Sequence, residues 1–338
     1  MKGIRQLADH LDISIGTVSR ALNGKPDVNE ETRRRVFEAA EKFGYVANQA
    51  GRSLRKGATG IIGFMMQTGH DITGQGDTFF MSVFDGVQTV LARHKLDLVA
   101  LLCSSEEDPD AYLKRVVARS FADGIILSAT RYRDGRFGTL HKTGIPFISL
   151  GRSQNDAGQP WYDLDFEGMA DTAIERLVAQ GHRRIAIGRP EGDINLGYVF
   201  EDRCRAALAQ HGLTLDPAHV FRSRPNESGG YRLAQNFIAA PTKPTAMVLL
   251  NEATVIGFYR GLEEAGLMPG RDVAVIGQYS PMAQFLSPRL TCFRPALRDL
   301  GVAVAESLLA TMPAFAEAYP EAPRQCLWPM NFIEGESG

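Results

Sequence analysis

The stretch that most constrains the fold is IRQLADHLDISIGTVSRALN, residues 4–23. Apolar side chains recur in its first half at spacings of three and four, which predicts an amphipathic helix. The buried face of that helix is expected to consist of Ile4, Leu7, Ala8 and Leu11. Ser14 has the short hydroxyl side chain of an N-cap, so a second helix should start there and run to about Leu22. Two helices this short bury little apolar surface, so a third is required.

The third helix is predicted over residues 29–43, with Asn29 as its N-cap and two glutamates in its first turn. Its buried side is expected to consist of Val36, Phe37, Ala40 and Phe43. In the second helix Val18, Ala21 and Leu22 form the apolar stripe. The outward face is therefore formed by Ile15, Gly16, Thr17, Ser19, Arg20 and Asn23. Three helices in this arrangement are typical of the helix-turn-helix unit, which places its second helix in a DNA major groove.

The charges of the 338-residue chain are unevenly distributed, although its net charge is only -2. Residues 1–60 contain eleven Lys/Arg and seven Asp/Glu, whereas the remaining residues contain 26 and 32. A cationic end on an anionic body directs the attraction for phosphate to one place. The distribution therefore favours a nucleic-acid partner for the N-terminal end.

From Gly60 onward, strand-sized apolar runs alternate with amphipathic helical segments. The runs are GIIGFMM, LDLVALLC, ADGIILS, IPFISLG, RRIAIG, AMVLL and VAVIG, and helices are expected over residues 79–91, 169–180, 201–211 and 254–265. Such alternation is typical of parallel sheets with helices on both faces. The predicted fold class is α/β: a three-helix N-terminal domain and hinge, then two doubly wound subdomains. A ligand is expected in the cleft between them, at the carboxyl ends of the strands.

Signatures of enzymes are absent from the sequence. It contains no GxxxxGK loop, no GxSxG elbow and no HExxH motif, and its seven histidines are scattered. Asp163, Asp165 and Glu167 form an acidic group, which a charged helix start explains more simply than acid–base chemistry. We therefore expect no catalytic residue, no metal and no cofactor.

The expected compartment is the cytoplasm. No stretch approaches eighteen apolar residues, and no export signal precedes the first helix. The four cysteines are far apart, without ligand-like spacing, and are expected to be small core residues in a reducing environment: Cys103, Cys204, Cys292 and Cys326. No membrane partner is expected.

The segment IRQLADHLDISIGTVSRALNG, followed by PDVNEETRRRVFEAAEKFGYVANQAGRSLRKG, closely resembles the DNA-binding headpiece and hinge of the lactose-repressor (LacI/GalR) family of bacterial transcription regulators. Beyond about residue 60 the resemblance continues as a general pattern. It implies a headpiece over residues 1–46, a hinge over 47–59 and an effector-binding and dimerisation domain over 60–338. By analogy, the N-subdomain spans about 60–152 and 292–312, and the C-subdomain about 153–291 and 313–338.

The resemblance implies which residues contact DNA. Arg20 has the length and fork to bind guanine O6 and N7, and Ile15 can pack on a thymine methyl group. Gly16 is a departure, because family members commonly carry a base-reading side chain there. Leu54 matches a leucine that the family's hinge helix inserts into the minor groove, with Arg52 beside it. The other implied positions are Thr17, Ser19, Asn23, Asn29, Thr32 and Tyr45; each polar one can equally be a cap or a solvated group.

Two segments resemble the walls of the family's effector cleft. GDTFFMSVFDGV makes Asp77, Phe79 and Phe80 candidates, although Phe80 can also be plain core, the reading that we prefer for Phe84. Arg152 follows the run IPFISL, where the family usually has an Asp-Arg pair. The other candidates that precede or follow predicted elements are Trp161, Tyr162, Asp165, Asn251 and Glu252. Aromatic faces with a few polar groups suit a carbohydrate.

Two departures bear on the ligand class. After VAVIG the family usually places an aromatic residue and two acidic ones, where this chain has Gln278, Tyr279 and Ser280. A carboxylate that often binds a sugar hydroxyl is therefore missing, although Tyr279 remains a candidate. The usual cleft arginine falls on Phe200, with Arg203 as a nearby substitute. A sugar or sugar derivative is still the leading expectation.

The leading hypothesis is a ligand-controlled regulator, a repressor that binds a pseudo-palindromic operator in double-stranded DNA as a homodimer or higher oligomer. It would be cytoplasmic, and nucleoid-associated when bound. The alternative is a sugar-binding or sugar-modifying protein with a vestigial headpiece, which an export signal or a catalytic constellation would favour. An architectural DNA binder indifferent to small molecules is disfavoured by the size of the two-lobed body.

Overall fold

The computed structural model describes residues 3–22, 24–45, 58–68, 76–155, 158–322 and 324–338, with the backbone alone at residues 76–78. Contacts between Cα atoms divide the chain into two units. We call Met1–Thr59 the head and Gly60–Gly338 the trunk. The predicted hinge lies largely outside the described residues, as do the candidates Asn23, Arg52 and Leu54.

The head contains the three predicted helices: α1 (Ile4–Leu11), α2 (Ile15–Leu22) and α3 (Glu30–Lys42). Both predicted N-caps are confirmed. Ser14 Oγ accepts a hydrogen bond from the Thr17 N–H at 3.0 Å, and Asn29 Oδ1 accepts one from the Thr32 N–H at 2.7 Å. These bonds satisfy N–H groups that the first helical turn leaves free, which fixes where each helix starts.

The core of the head corrects one prediction. Its buried side chains, contributed by all three helices and the loop before α3, are Leu7, Ala8, Leu11, Val18, Ala21, Val28, Val36, Ala39 and Ala40. Phe37, predicted to be buried, is 50% exposed. An α-helix turns by about 100° per residue, so Phe37 is rotated away from the face that Val36, Ala39 and Ala40 share.

The trunk contains two six-stranded sheets. The first subdomain is built on the strands β1 (Ile61–Gln67), β2 (Asp97–Cys103), β3 (Gly124–Leu127), β4 (Phe147–Leu150), β5 (Trp161–Leu164) and β11 (Gln325–Trp328). They lie in the order β11-β5-β4-β3-β1-β2, and each neighbouring pair is parallel. The helices of this subdomain are α4 (Gly76–Arg93), α5 (Pro109–Ala118), α6 (Gly135–Thr143) and α11 (Leu297–Ala310). Helices α4 and α11 pack against each other.

The second subdomain is built on β6 (Ile185–Pro190), β7 (Val220–Ser223), β8 (Ala246–Leu249), β9 (Ala274–Gln278), β10 (Thr291–Pro295) and β12 (Met330–Ile333). The order is β12-β10-β9-β8-β6-β7, parallel except for the antiparallel β10–β12 pair. Its helices are α7 (Phe166–Ala179), α8 (Asn195–Gln210), α9 (Glu227–Ala239) and α10 (Glu252–Glu264), with α7 on α8 and α9 on α10. Short 3-10 turns cover Pro217–His219, Pro281–Phe285 and Ala316–Ala318.

The chain crosses between the subdomains at places that differ from the expected boundaries near 152, 292 and 312. Strand β5 still belongs to the first sheet, β10 to the second, and β11 returns to the first before β12 ends in the second. The crossings therefore lie just after Leu164, between Pro295 and Leu297, and at Pro329. The four-residue strands β5 and β11 pair with each other across more than 160 residues, from Gln325 with Trp161 onward, so local sequence does not show them.

Both sheets are covered by helices, as their composition predicts. All four residues of β3 and of β8 are buried, which suits central strands of parallel sheets. Three of the four cysteines are buried, and Cys326 is half-buried. Within the described residues, every helix is too short or too polar to cross a bilayer.

Candidate nucleic-acid interface and ligand cleft

The outward face of α2 is displayed to solvent. Ile15 is 39% exposed, Gly16 and Arg20 are exposed, and Thr17 and Ser19 are half-buried. The guanidinium of Arg20 lies 3.3 Å from the Asp27 carboxylate, and both side chains are more than half exposed. An exposed ion pair of this kind contributes little stability and can exchange for another partner. Arg20 is therefore available to a base or a phosphate.

Other arginines of the head serve its structure. Arg33 Nη2 donates to the Lys25 carbonyl at 2.9 Å, and Arg35 Nη2 donates to the Leu11 carbonyl at 3.2 Å. These bonds hold the loop before α3 and the end of α1. Arg20 instead lies on α2 itself, on the face without apolar core contacts.

Several predicted phosphate-contacting residues have a second role in the head. The Ser14 and Thr17 hydroxyl oxygens are 2.9 Å apart, and Asn29 caps α3 through the Thr32 N–H. The Tyr45 ring packs against the core, and its N–H donates to the Ala40 carbonyl at 2.8 Å. Asn29 therefore has the N-cap role that was the alternative to a phosphate contact. The Asn29 residue is exposed.

A cleft separates the two subdomains of the trunk at the carboxyl ends of their parallel strands. It encloses about 1070 Å³, open to solvent at its mouth. From the first subdomain it is lined by Phe79, Phe80, Ser128, Ala129, Thr130, Leu150, Gly151, Arg152, Asp163 and Leu164. From the second it is lined by Phe166, Pro190, Ile194, Leu196, Pro225, Leu250, Asn251 and Gln278. This is where open α/β sheets bind ligands.

The apolar wall of the cleft includes the predicted aromatic pair. The rings of Phe79 and Phe80 meet edge to face with centroids 5.2 Å apart, and Phe80 also contacts Phe64 of β1 at 5.7 Å. Phe80 thus belongs both to the core and to the cavity wall, whereas Phe84 packs on Phe64. Asp77 lies in α4, but its side chain is outside the described part of the structure.

Arg152 lies in the cleft with its hydrogen-bonding capacity largely used. Its Nε donates to Asp163 Oδ2 at 2.9 Å and its Nη2 to Glu167 Oε2 at 2.8 Å. The guanidinium carbon lies 5.3 Å from the centre of the Trp161 ring, so Trp161 supports Arg152 and lies outside the cavity lining. Burial raises the pKa of Asp163 to about 6, outweighing the opposite effect of Arg152.

The backbone conformation of Gly151 explains why this chain lacks the aspartate of the family's Asp-Arg pair. Its φ of +109° lies in a region that residues with a Cβ rarely adopt, and a Cβ there would overlap Thr130 Oγ1. An aspartate at this position would require both the backbone and Thr130 to move. The cleft of this chain is therefore built around the glycine.

Four other candidates lie away from the main cavity. Asp165 caps α7, its Oδ1 accepting from the Gly168 N–H at 2.8 Å. Arg203, 40% exposed, forms a bidentate pair with Asp171 at 2.7 and 2.5 Å. Arg203 therefore does not substitute for a cleft arginine, and Phe200 is buried in the core. Glu252 and Tyr279 line an adjoining cavity of about 1140 Å³ that shares Phe79 and Gln278 with the main cavity, and Arg294 lies there 4.8 Å from the Tyr279 ring.

Asn251 does lie in the cleft, where its Oδ1 accepts from the N–H and the hydroxyl of Thr254, each at 3.1 Å. Sequence reasoning missed Thr130, Gln278 and Arg189, of which Arg189 is 4% exposed at the end of β6. The only local signal for Arg189 is a cation at the end of an apolar run, which a solvated strand end would also show.

The known proteins that resemble this chain fit both parts of this architecture. The family model for "Bacterial regulatory proteins, lacI family" matches residues 4–48, and that for "Periplasmic binding protein-like domain" matches residues 164–338. The HTH-type transcriptional regulator AglR of Rhizobium meliloti (strain 1021) is 33% identical over 336 residues, covering 98% of this chain and 92% of that protein. The chain belongs to the LacI family. As such it is a ligand-responsive, DNA-binding transcriptional regulator.

Further LacI-family proteins extend the similarity. The HTH-type transcriptional regulator RafR of Escherichia coli is 31% identical over 283 residues, 83% of this chain and 82% of that protein. A crystal structure of the Lac repressor dimer bound to operator and the anti-inducer ONPF has a TM-score of 0.82 at 18% identity, covering 98% and 97% of the two chains. A complex of the transcriptional regulator CelR with cellobiose has a TM-score of 0.72 at 22% identity, covering 99% of each. These two structures show that the fold is shared.

Proposed function

We propose that this LacI-family regulator is a repressor of the bacterial cytoplasm. It binds a pseudo-palindromic operator as a homodimer, and a small carbohydrate in the trunk cleft controls that binding. The observation that carries the proposal is the displayed face of α2, where Arg20 forms an exposed ion pair with Asp27.

The DNA-binding part of the proposal follows from the chemistry of that face. Arg20 donates to guanine O6 and N7, while Ile15 packs against a thymine methyl group. Thr17, Ser19, Asn29 and Thr32 fix the orientation through phosphate contacts, together with the predicted residues Asn23 and Tyr45. The hinge residues Arg52 and Leu54 are proposed to bind the minor groove. Two heads related by the symmetry of a dimer would then match two half-sites.

The effector part of the proposal follows from the cleft. An apolar wall with the Phe79–Phe80 pair and a few polar groups at strand ends suits the C–H faces and hydroxyl groups of a sugar. Relatives and neighbours in the family support this class, since the CelR structure contains cellobiose. A ligand that closes the cleft alters the trunk, and its coupling to DNA binding must be reciprocal.

The first test measures binding to promoter fragments of neighbouring genes over a range of salt concentrations. We expect the logarithm of the association constant to fall steeply and linearly with the logarithm of salt concentration, because phosphate contacts release counterions. Binding that is independent of salt, or equal for promoter and unrelated DNA, would contradict the proposal. A screen of sugars by thermal shift, followed by release of the bound fragment, tests the effector part.

Arg20→Ala sharpens the DNA test. We expect it to cost about 1–3 kcal/mol in binding to the operator, because a bidentate guanine contact is lost, and to leave weak, sequence-independent binding. Arg34→Ala is the matched control, since Arg34 is an exposed arginine of α3 that lies 3.8 Å from Glu38. It removes the same charge but should preserve the preference for the operator over unrelated DNA.

A further inference from the structure

Arg189 is a buried cation with unused hydrogen-bond donors. Its side chain is 3% exposed, yet its Nε and Nη1 atoms make no hydrogen bond to any residue that the structure describes. Buried N–H groups are nearly always paired, since an unpaired one loses its bond to water without replacement. These two donors therefore call for a partner other than the residues that the structure describes.

The surroundings of Arg189 orient its guanidinium without using those donors. The Tyr198 ring of α8 lies 4.4 Å from the guanidinium carbon. Glu201 Oε2 lies 3.5 Å from Nε, too far for a good hydrogen bond, while Glu201 Oε1 accepts from Arg205 at 3.0 Å. Arg189 is thus stacked and has a counter-charge, but its Nε and Nη1 atoms have no hydrogen-bond acceptor among the described residues.

Arg189 lines a small annex of the cleft. The annex encloses about 190 Å³ and shares Pro190, Pro225, Leu250 and Asn251 with the main cavity. Asn251 Oδ1 already accepts two hydrogen bonds from Thr254, so the annex offers donors more than acceptors. The annex is narrow, so a molecule in the main cavity could place no more than a hydroxyl-sized group in it.

The charges around the cleft indicate the class of that molecule. Arg152 lies between Asp163 and Glu167, while Glu201 lies beside both Arg189 and Arg205. Each of these cations therefore has an anion beside it already, and a further carboxylate or phosphate would be buried without an unpaired cation to neutralise it. Neutral oxygen atoms that accept hydrogen bonds, such as sugar hydroxyl groups, carry no such penalty.

We propose that Arg189 determines effector specificity by donating hydrogen bonds from its guanidinium group to a hydroxyl oxygen at one end of an uncharged carbohydrate. This inference rests on the proposed function, in which the cleft binds a sugar. In this proposal Arg189, at a strand end of the second subdomain, recognises the polar groups of the ligand. Arg203 does not provide this recognition, because it pairs with Asp171 outside the cavity. Arg152 is less suited, because Asp163 and Glu167 already occupy its donors.

The test is isothermal titration of the full chain with neutral mono- and disaccharides, including cellobiose, and with glucuronate and galacturonate as charged counterparts. We expect a neutral sugar to bind, and Arg189→Met to weaken it by at least about tenfold, since bonds from a charged donor are lost. Arg189→Lys, which keeps the charge but loses the planar fork, should fall between. Arg203→Met is the control and should bind the same sugar as the wild type does.

Measuring operator binding by each variant distinguishes a failure of this inference from a failure of the proposed function. Unchanged sugar affinity in Arg189→Met and Arg189→Lys, with water alone satisfying the two donors, would overturn the role of Arg189 and leave the proposed function intact. Binding of uronates only would overturn this inference and leave the carbohydrate class intact. Binding of no sugar by a wild type that still binds operator would overturn both. Glu201→Gln is the control for an effect on folding, because it removes the counter-charge of Arg189 but keeps the N–H donors of Arg189. It should retain sugar binding, whereas equal losses in Glu201→Gln and Arg189→Met would show a structural ion pair and overturn the proposal.

Discussion

Arginines are used in opposite ways in the head and in the trunk. On the head, Arg20 and Asp27 form a single contact at 3.3 Å, with side chains 51% and 61% exposed. In the trunk, Arg136 is buried against Asp134 and donates to it from Nε at 2.9 Å and Nη2 at 2.6 Å. The first pair is screened by water, whereas the second lies where an unpaired charge would be very costly.

The difference shows which charged side chains of the protein are available to bind a partner. A cation in an exposed pair exchanges its partner at little cost, which suits a surface that binds DNA. A cation fixed by a buried bidentate pair supports the loop around it, and Arg136 Nη2 also donates to the Ser128 carbonyl at 3.1 Å, next to the cleft. Arg189 lies between these extremes, because it is buried but only partly paired.

The largest predicted effect is on the buried pair. Asp134→Asn should lower the free energy of unfolding of the trunk by about 3–5 kcal/mol, since Arg136 would lose its counter-charge inside the protein. Urea denaturation followed by fluorescence or circular dichroism measures the change. Asp27→Asn is the matched control on the head and should change stability by less than about 1 kcal/mol. Similar effects of the two substitutions would remove the contrast between the two regions.

The second prediction concerns pH and contrasts two buried aspartates of the first subdomain. Burial alone would raise the pKa of Asp134, but its bonds from Arg136 hold that pKa below the ordinary value. Asp163 has a pKa raised to about 6 from 3.8, although Arg152 donates to it and Glu167 lies on the other side of Arg152. The folded state therefore binds a proton at Asp163 more tightly than the unfolded state does.

It follows that the contribution of Asp163 to stability increases as pH falls from above 6 towards 4. The gain is at most roughly 3 kcal/mol, since one pKa unit corresponds to about 1.4 kcal/mol. Asp134 adds nothing in this window, because its stabilisation is complete above its ordinary pKa and is lost only at lower pH. Urea midpoints of the wild type and Asp163→Asn at pH 5 and pH 7 test this. Parallel pH dependences in the two proteins would be incompatible with a raised pKa at Asp163.

The head was more predictable from sequence than the trunk because its determinants are local. Ser14 and Asn29 each lie three residues before the N–H group that they cap, so spacing alone indicates both helix starts. Phe37 was misplaced because it lies beside Val36 in the sequence but about 100° away around the helix. In the trunk, β5 and β11 acquire their places from each other, and four residues give too short a pattern to show which sheet they join.

The cleft was predicted in position but only in part in its residues. Phe79 and Phe80 lie in it because they belong to the first turns of α4, and Arg152 and Asn251 lie in it because they follow strands β4 and β8. Arg203 does not, since the turn of α8 directs it to Asp171 on α7. Arg189 could not be singled out, because its unused donors exist only once Tyr198 and Glu201 are folded around it.

The smallest predicted effect tests whether Gly16, on the DNA-recognition face of α2, lowers the stability of the head. Gly16 lies inside α2, and a Cβ there would meet only Arg20 Nη1 and Ser14 Oγ, each at an ordinary contact distance of 3.6 Å. Gly16→Ala should therefore stabilise the head by about 0.4–1 kcal/mol, by reducing the entropy of the unfolded chain. Gly24→Ala is the control. Gly24 has a φ of +66°, so a side chain there should lower the stability of the head by about 1–2 kcal/mol, although no atom lies close enough to clash with its Cβ. Hydrogen exchange of the amides of α1–α3 in the full chain measures both changes, and a loss of protection in Gly16→Ala would show that the glycine serves the fold of α2 rather than its access to DNA.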